Sequence, residues 1–224
     1  MSEGDLAGQT IVITGGARGI GSASGVALAR RGAHVHLADV LDCDDAVAAI
    51  AAQGGVATGH SLDITDKPAC IALADQIAAE AGRIDAMVCN AGVCPPGKPV
   101  AESPDDEAQW ARVIDINIHG TQNSIAAVWP HMKRQGSGRI VIVSSMAFYQ
   151  GGIIVGTEYS ASKAAHIGMT RHHARNGGPH GILVNAVAPG VIETEMTRAF
   201  NKPDISTIPH RRLGNAPDLA RQNS

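Results

Sequence analysis

The chain is predicted to be an α/β protein built on a doubly wound parallel sheet in three layers, with helices on both faces. Three observations predict this. Short β-branched runs alternate four times with helix-compatible stretches between Thr10 and Cys89, the signature of repeated strand–helix–strand units. A glycine cluster, Gly15, Gly16, Gly19 and Gly21, falls between the first strand and the first helix. The run Ile140–Val143 is apolar at every position, as strands covered on both faces are, rather than alternating.

Composition narrows the function classes. A length of 224 residues suits one domain, and 44% hydrophobic with only 3% aromatic residues leaves aliphatics and alanine to fill the core. The 18 basic and 21 acidic residues give a net charge of −3, so charge offers no case for nucleic acid or an anionic membrane. No long uncharged apolar run suggests a membrane span, and the opening MSEGDLAGQ is polar and acidic rather than signal-like, so a cytoplasmic protein is expected. Cys43, Cys70, Cys89 and Cys94 lack metal-ligand spacing and read as buried free thiols. The ten histidines gather no acid or cysteine into a ligand set, so no metal is expected and polar-core or solvated roles are.

Taken in order, Thr10–Thr14 reads as a buried strand and Ile20 to Arg31 as a helix that Gly32 stops. Glycine in the turn between them permits close backbone approach, so that helix N-terminal amides can face a pyrophosphate. The spacing is G-x-x-x-G-x-G, through Gly15, Gly19 and Gly21. A second strand, Ala33–Ala38, ends at Asp39, 20 positions after Gly19. A carboxylate there can accept from both hydroxyls of an adenosine ribose and repels the extra phosphate of NADP. No cation is adjacent, since Val40 and Leu41 follow; Arg18 inside the turn is the one dissenting charge. NAD is expected over NADP.

The alternation continues with a helix over Asp42–Gln53, a strand over Val56–Leu62 ending at Asp63-Ile64, a helix over Asp66–Ala81 and a strand over Ala86–Cys89. Asn90-Ala91-Gly92 then leads into the proline-rich loop Cys94–Pro99, which either borders a substrate or forms a rigid surface turn. A long helical stretch from Pro104 to Gln135 carries an expected bend near Gly120 and an interior Asn117, a residue that in such a position ordinarily faces solvent. Trp110, Trp129, Phe148 and Phe200 read as core or pocket aromatics. After the Ile140–Val143 strand come Ser144 and Ser145, then Tyr159 and Lys163 four residues apart on a helix, and a last strand over Ile182–Val187. The i, i+4 spacing puts phenol and ammonium on one face, where the cation favours phenolate and a strand-end serine can bond a carbonyl or alcohol oxygen.

Together these residues resemble the short-chain dehydrogenase/reductase family. The matching elements run from Gln9 to about Thr197: TGGARGIG, Asp39, Asp63-Ile64, CNAG, Asn117, the serine after IVIVS, YSASK, and NAVAPGVIET. The resemblance implies a Rossmann-type fold and an NAD(H)-dependent oxidoreductase that interconverts a secondary alcohol and a ketone, acting as a homo-oligomer, dimer or tetramer. It implies Tyr159 as proton donor or acceptor, Ser145 as orienter of the reacting oxygen, Lys163 as binder of ribose hydroxyls that lowers the tyrosine pKa, and Asn117 as holder of a relay water. Gly15, Arg18, Gly19 and Ile20 would line the pyrophosphate, Asp39 the adenosine ribose, Asp63 and Ile64 the adenine, and Asn90, Ala91 and Gly92 the floor. Pro189, Gly190, Val191, Ile192 and Thr194 complete the cofactor set, the last three at the nicotinamide end. Met146, Phe148, Val155, Met196 and Phe200 are candidate pocket residues and favour a mainly apolar substrate.

The chain also departs from the family pattern. Cys89 replaces the usual first asparagine, and the interval from Ser145 to Tyr159, 14 residues, is one longer than usual, which keeps Ser144 open as the reacting serine. Residues 195–224 read as a substrate loop and a shortened C-terminal segment, without the helix and last strand of relatives. A sheet edge at Ile182–Val187 follows, as does the expectation of a truncated product or one capped by a partner. Two alternatives accompany the main reading: a dinucleotide-binding subunit without turnover, and an NADP-dependent ketone reductase resting on Arg18.

Overall fold

The structure, a computed structural model, describes residues 4–95, 106–151, 155–198 and 204–220. Strands β1 (Thr10–Thr14), β2 (His34–Asp39), β3 (Val56–Ser61), β4 (Ala86–Cys89), β5 (Gly138–Val143) and β6 (Ile182–Val187) form one sheet. Every pairing in it is parallel, in the order β3-β2-β1-β4-β5-β6. The expected α/β class is therefore what the chain forms. The order reverses between β1 and β4, which places a crevice at the C-terminal ends of those two strands.

Side-chain alternation explains the three layers. Ile11 and Ile13 of β1 face one core with Val35, Leu37 and Leu28, while Val12 faces the other with Ile77, Ile125, Ile140 and Ile142. Helices α1 (Gly19–Ala29) and α2 (Asp44–Ala51) cover the first core; α3 (Lys67–Ala81) and α5 (Thr121–Gln135) cover the second. Asp66 starts α3 by accepting from the Ala69 N–H, and Gly82, at φ 76°, ends it in a left-handed conformation. The predicted strands and the helices between Ile20 and Ala81 stand, with ends moved by one or two residues; the stretch expected from Pro104 is helical from Glu107.

The expected bend near Gly120 has a definite form. Helix α4 (Glu107–Ile114) passes through a π turn, Asp115–Gly120, into α5. Asn117 lies in that turn with 0% exposure, so the expectation of a solvent-facing asparagine is overturned. Trp110 on α4, read as a core or pocket aromatic, is instead 45% exposed. Past β5 come the short α6 (Ala147–Gln150), the long α7 (Thr157–Gly177) and, after β6, a small parallel ladder of β7 (Ile192–Glu193) with β8 (Gly214–Asn215). Helix α8 (Glu195–Arg198) follows β7, and α9 (Ala216–Ala220) packs against α1. Among the described residues β6 is an edge strand. Phe200, most of the proline-rich loop, Pro104 and residues 221–224 lie outside the described residues.

Candidate active site

Glycine makes the floor of the crevice. Gly15 sits at φ 67°, and a Cβ there would come within 2.8 Å of the Ala91 Cα, so only glycine lets the first turn lie against the strand beside it. The Asn90 side-chain amide clamps the turn by donating to the carbonyls of Thr14 (3.1 Å) and Gly15 (2.9 Å). Thr14 Oγ1 in return accepts from the Asn90 and Ala91 N–H groups. No side chain caps the N-terminus of α1, which leaves its first amides directed at the crevice.

The Asp39 carboxylate ends β2 and is held on both oxygens by backbone, accepting from the Ala17 N–H (3.0 Å) and the Leu41 N–H (3.1 Å). Asp63 Oδ1 accepts from the backbone and hydroxyl of Thr65, and the Ile64 carbonyl is fixed by Asn123. The resulting cleft of about 560 Å³ is lined by Gly15, Arg18, Gly19, Ile20, Asp39, Asp63, Ile64, Asn90, Ala91, Gly92 and Thr194. Every one of these was singled out in the sequence. Pro189, Gly190, Val191 and Ile192 are not in that lining: the Pro189 carbonyl accepts from Met146 (2.8 Å), and Ile192 pairs in β7. Leu41, Leu62, Arg112, Ile116 and Glu195 also line the cleft and escaped the sequence reading; Met196 does as expected, while Met146, Phe148 and Val155 do not.

A second cluster adjoins this cleft at Gly92, where a Cβ would stand 3.1 Å from Asn117 Oδ1 and 3.7 Å from Lys163 Nζ. The two strand-end serines separate here. Ser144 is buried and its hydroxyl donates to the Lys163 carbonyl (2.8 Å). The Ser145 hydroxyl instead acts on the Tyr159 phenol and accepts from the Ala147 N–H. Asn117 donates to the Val93 carbonyl and the Ser162 hydroxyl and accepts from the Val93 N–H, which uses its whole amide.

The electrostatics differ from the simple i, i+4 picture. The Lys163 Nζ lies 5.6 Å from the Tyr159 ring centre, but it donates to the Val143 carbonyl (2.9 Å) and burial pulls its pKa down to about 8. Burial pushes the Tyr159 phenol up, Cys94 adds to that, and the Ser145 hydrogen bond opposes it. The Lys163 ammonium is itself desolvated and turned to a carbonyl.

A family profile described as short chain dehydrogenase matches residues 9–204. The chain belongs to the short-chain dehydrogenase family. Among its relatives, an acetoacetyl-CoA reductase of Shinella zoogloeoides is 38% identical over 218 residues, 95% of this chain and 88% of that protein. A 3-oxoacyl-acyl-carrier-protein reductase of Brucella melitensis, solved with bound NAD, superposes with a TM-score of 0.85 at 35% identity, covering 97% and 83% of the two chains. A structure from Beutenbergia cavernae with bound NADP at low occupancy gives 0.89 at 33% identity, covering 99% and 90%. The short-chain dehydrogenases are oxidoreductases that use a nicotinamide dinucleotide, and the uncapped start of α1, lining one cleft with the Asp39 carboxylate, fits such a group. No helix among the described residues is long and apolar enough to cross a membrane.

Proposed function

We propose that this protein is an NAD(H)-dependent oxidoreductase that interconverts a secondary alcohol and a ketone. The observation that carries the reading is the meeting of Tyr159, Ser145, Lys163 and Asn117 beside the glycine cradle. The bound nicotinamide would supply or take the hydride. The chain's own residues then handle the oxygen and the proton. The Tyr159 phenol donates its proton to a ketone oxygen, and the Ser145 hydroxyl orients that oxygen. Lys163 binds ribose hydroxyls, and Asn117 holds the relay that returns the proton. Asp39, Asp63 and Ile64 take the adenosine end, and Pro189, Gly190, Val191, Ile192 and Thr194 close over the other.

Asp39 favours NAD. Its carboxylate, fixed by the Ala17 and Leu41 amides, presents negative charge where NADP carries a phosphate. A second reading, NADP dependence, draws on Arg18 in the same lining and on the NADP bound by the Beutenbergia structure. The named acetoacetyl-CoA and 3-oxoacyl reductases support a ketone substrate, which Met196 in the cleft lining would meet with an apolar side chain. We read the enzyme as a cytoplasmic homo-oligomer. Fluorescence titration with NADH and NADPH tests the cofactor: NADH binding at least about tenfold tighter is expected from charge repulsion, and equal or tighter NADPH binding reverses the assignment. With a ketone panel, Tyr159→Phe should cut turnover by about a hundredfold or more while NADH still binds. Full turnover by that variant removes the reaction assignment.

A further inference from the structure

We propose that His166 is a positioning residue of the proton-handling site, which holds the Asn117 peptide in place through its Nε2–H. The proposal rests on the reading that Asn117 and Lys163 serve Tyr159 in one reaction. It begins with the π turn. In a regular α-helix the Thr121 N–H would pair with the Asn117 carbonyl; here that N–H goes to the Ile118 carbonyl instead, and the Asn117 carbonyl is met by a side chain from α7. His166, on α7 three residues after Lys163, supplies it: Nε2 lies 2.7 Å from the Asn117 oxygen, with the Thr121 hydroxyl at 3.4 Å. A carbonyl only accepts, so Nε2 carries the hydrogen and Nδ1 is bare.

The imidazole is 1% exposed, and among the described residues its Nδ1 has no hydrogen-bond partner. Leaving one ring nitrogen unmatched in the core is unfavourable, so the contact made by the other must hold the ring there. The charge acting on the ring is Lys163, and the carbonyls of Asn117 and Val143 face it; burial pulls its pKa down to about 4, so it stays neutral at working pH. From Asn117 the contacts continue to the Ser162 hydroxyl and from there to the Tyr159 carbonyl (2.7 Å). His166 thus fixes the backbone of a residue whose amide is already fixed by Val93 and Ser162.

Two substitutions of similar length separate donor from bulk: His166→Gln keeps an N–H at the reach of Nε2, and His166→Met does not. The measurements are kcat, KM and the pH dependence of kcat for ketone reduction, with NADH affinity and the melting temperature alongside. We expect His166→Met to lower kcat about tenfold and to move a limb of the pH profile by about half a unit, with NADH affinity within about twofold of the parent. His166→Gln should recover most of that loss. Equal losses in both variants, or an unchanged kcat and pH profile in His166→Met, overturn the proposal. So does failure of both variants to fold, since the ring would then serve folding alone. Tyr159→Phe tells the two ideas apart: full turnover in that variant sinks the reaction itself, whereas its loss beside a normal His166→Met sinks only the role of His166.

Discussion

Ser144 and Ser145 differ by one position and have opposite uses. The strand alternation carried past β5 turns Ser144 inward to the Lys163 carbonyl and leaves Ser145 at the Tyr159 phenol. Ser144→Ala should therefore lower stability by about 1 kcal/mol, the net worth of one buried hydrogen bond to a helix carbonyl. Ser145→Ala should leave the melting curve in place and lower kcat by about a hundredfold. Chemical melts and turnover of the two variants check this, and a reversed pattern would make Ser144 the reacting serine. Such residues were legible to different degrees. Tyr159 and Lys163 could be read from spacing because they are neighbours on one helix, and Asp39 because it ends the strand that follows the glycine turn. The choice between Ser144 and Ser145 could not, since it depends on where α7 packs. Arg112 escaped for the same reason: α4 carries it into the cleft from a distant part of the chain.

At the scale of elements, β2 and β3 carry the adenosine end and share an unusual pairing. His36 Nδ1 meets His60 Nε2 at 3.0 Å with the rings stacked, and the His34 ring lies 4.3 Å from that of His36. His34 itself bonds the Thr58 hydroxyl, and Glu80 of α3 is the acid acting on the cluster. Burial, with the neighbouring histidines, pulls His36 down to about 4 and lowers His60 as well. A base whose folded pKa lies below its unfolded value of about 6.5 gives its full stability above that value. The stability is lost as pH falls from there toward 4. The melting temperature should drop between pH 7 and pH 5, and His36→Val should flatten that dependence; a parallel curve for the variant would place the acid sensitivity elsewhere. Strand existence was legible here from β-branched runs, but not this cluster, which needs β2 and β3 in register. The π turn was legible only as a bend, because the donor that accepts its cost lies 49 residues away on α7.

For the whole molecule, the alternation of strands and helices was enough to read a parallel sheet, because each crossover must cover a face. What the pattern does not contain is which strands meet at its middle. There β1 lies beside β4, and the Asp85 carboxylate ties the two by accepting from the Thr10 N–H across 75 residues of chain while Arg83 binds its other side. That seam has a kinetic meaning. Local pieces such as α1 with β2, or β2 with β3, can assemble early, whereas joining β1 to β4 first requires closing a long loop. The dinucleotide cleft lies directly over the junction, with Gly15 on one side and Ala91 on the other. On refolding from denaturant, helical circular dichroism should return before the ability to quench and shift NADH fluorescence. Simultaneous recovery of both signals would mean that the central join forms as early as the local units. Otherwise a newly made chain passes through a period in which it is largely structured and still cannot hold its cofactor.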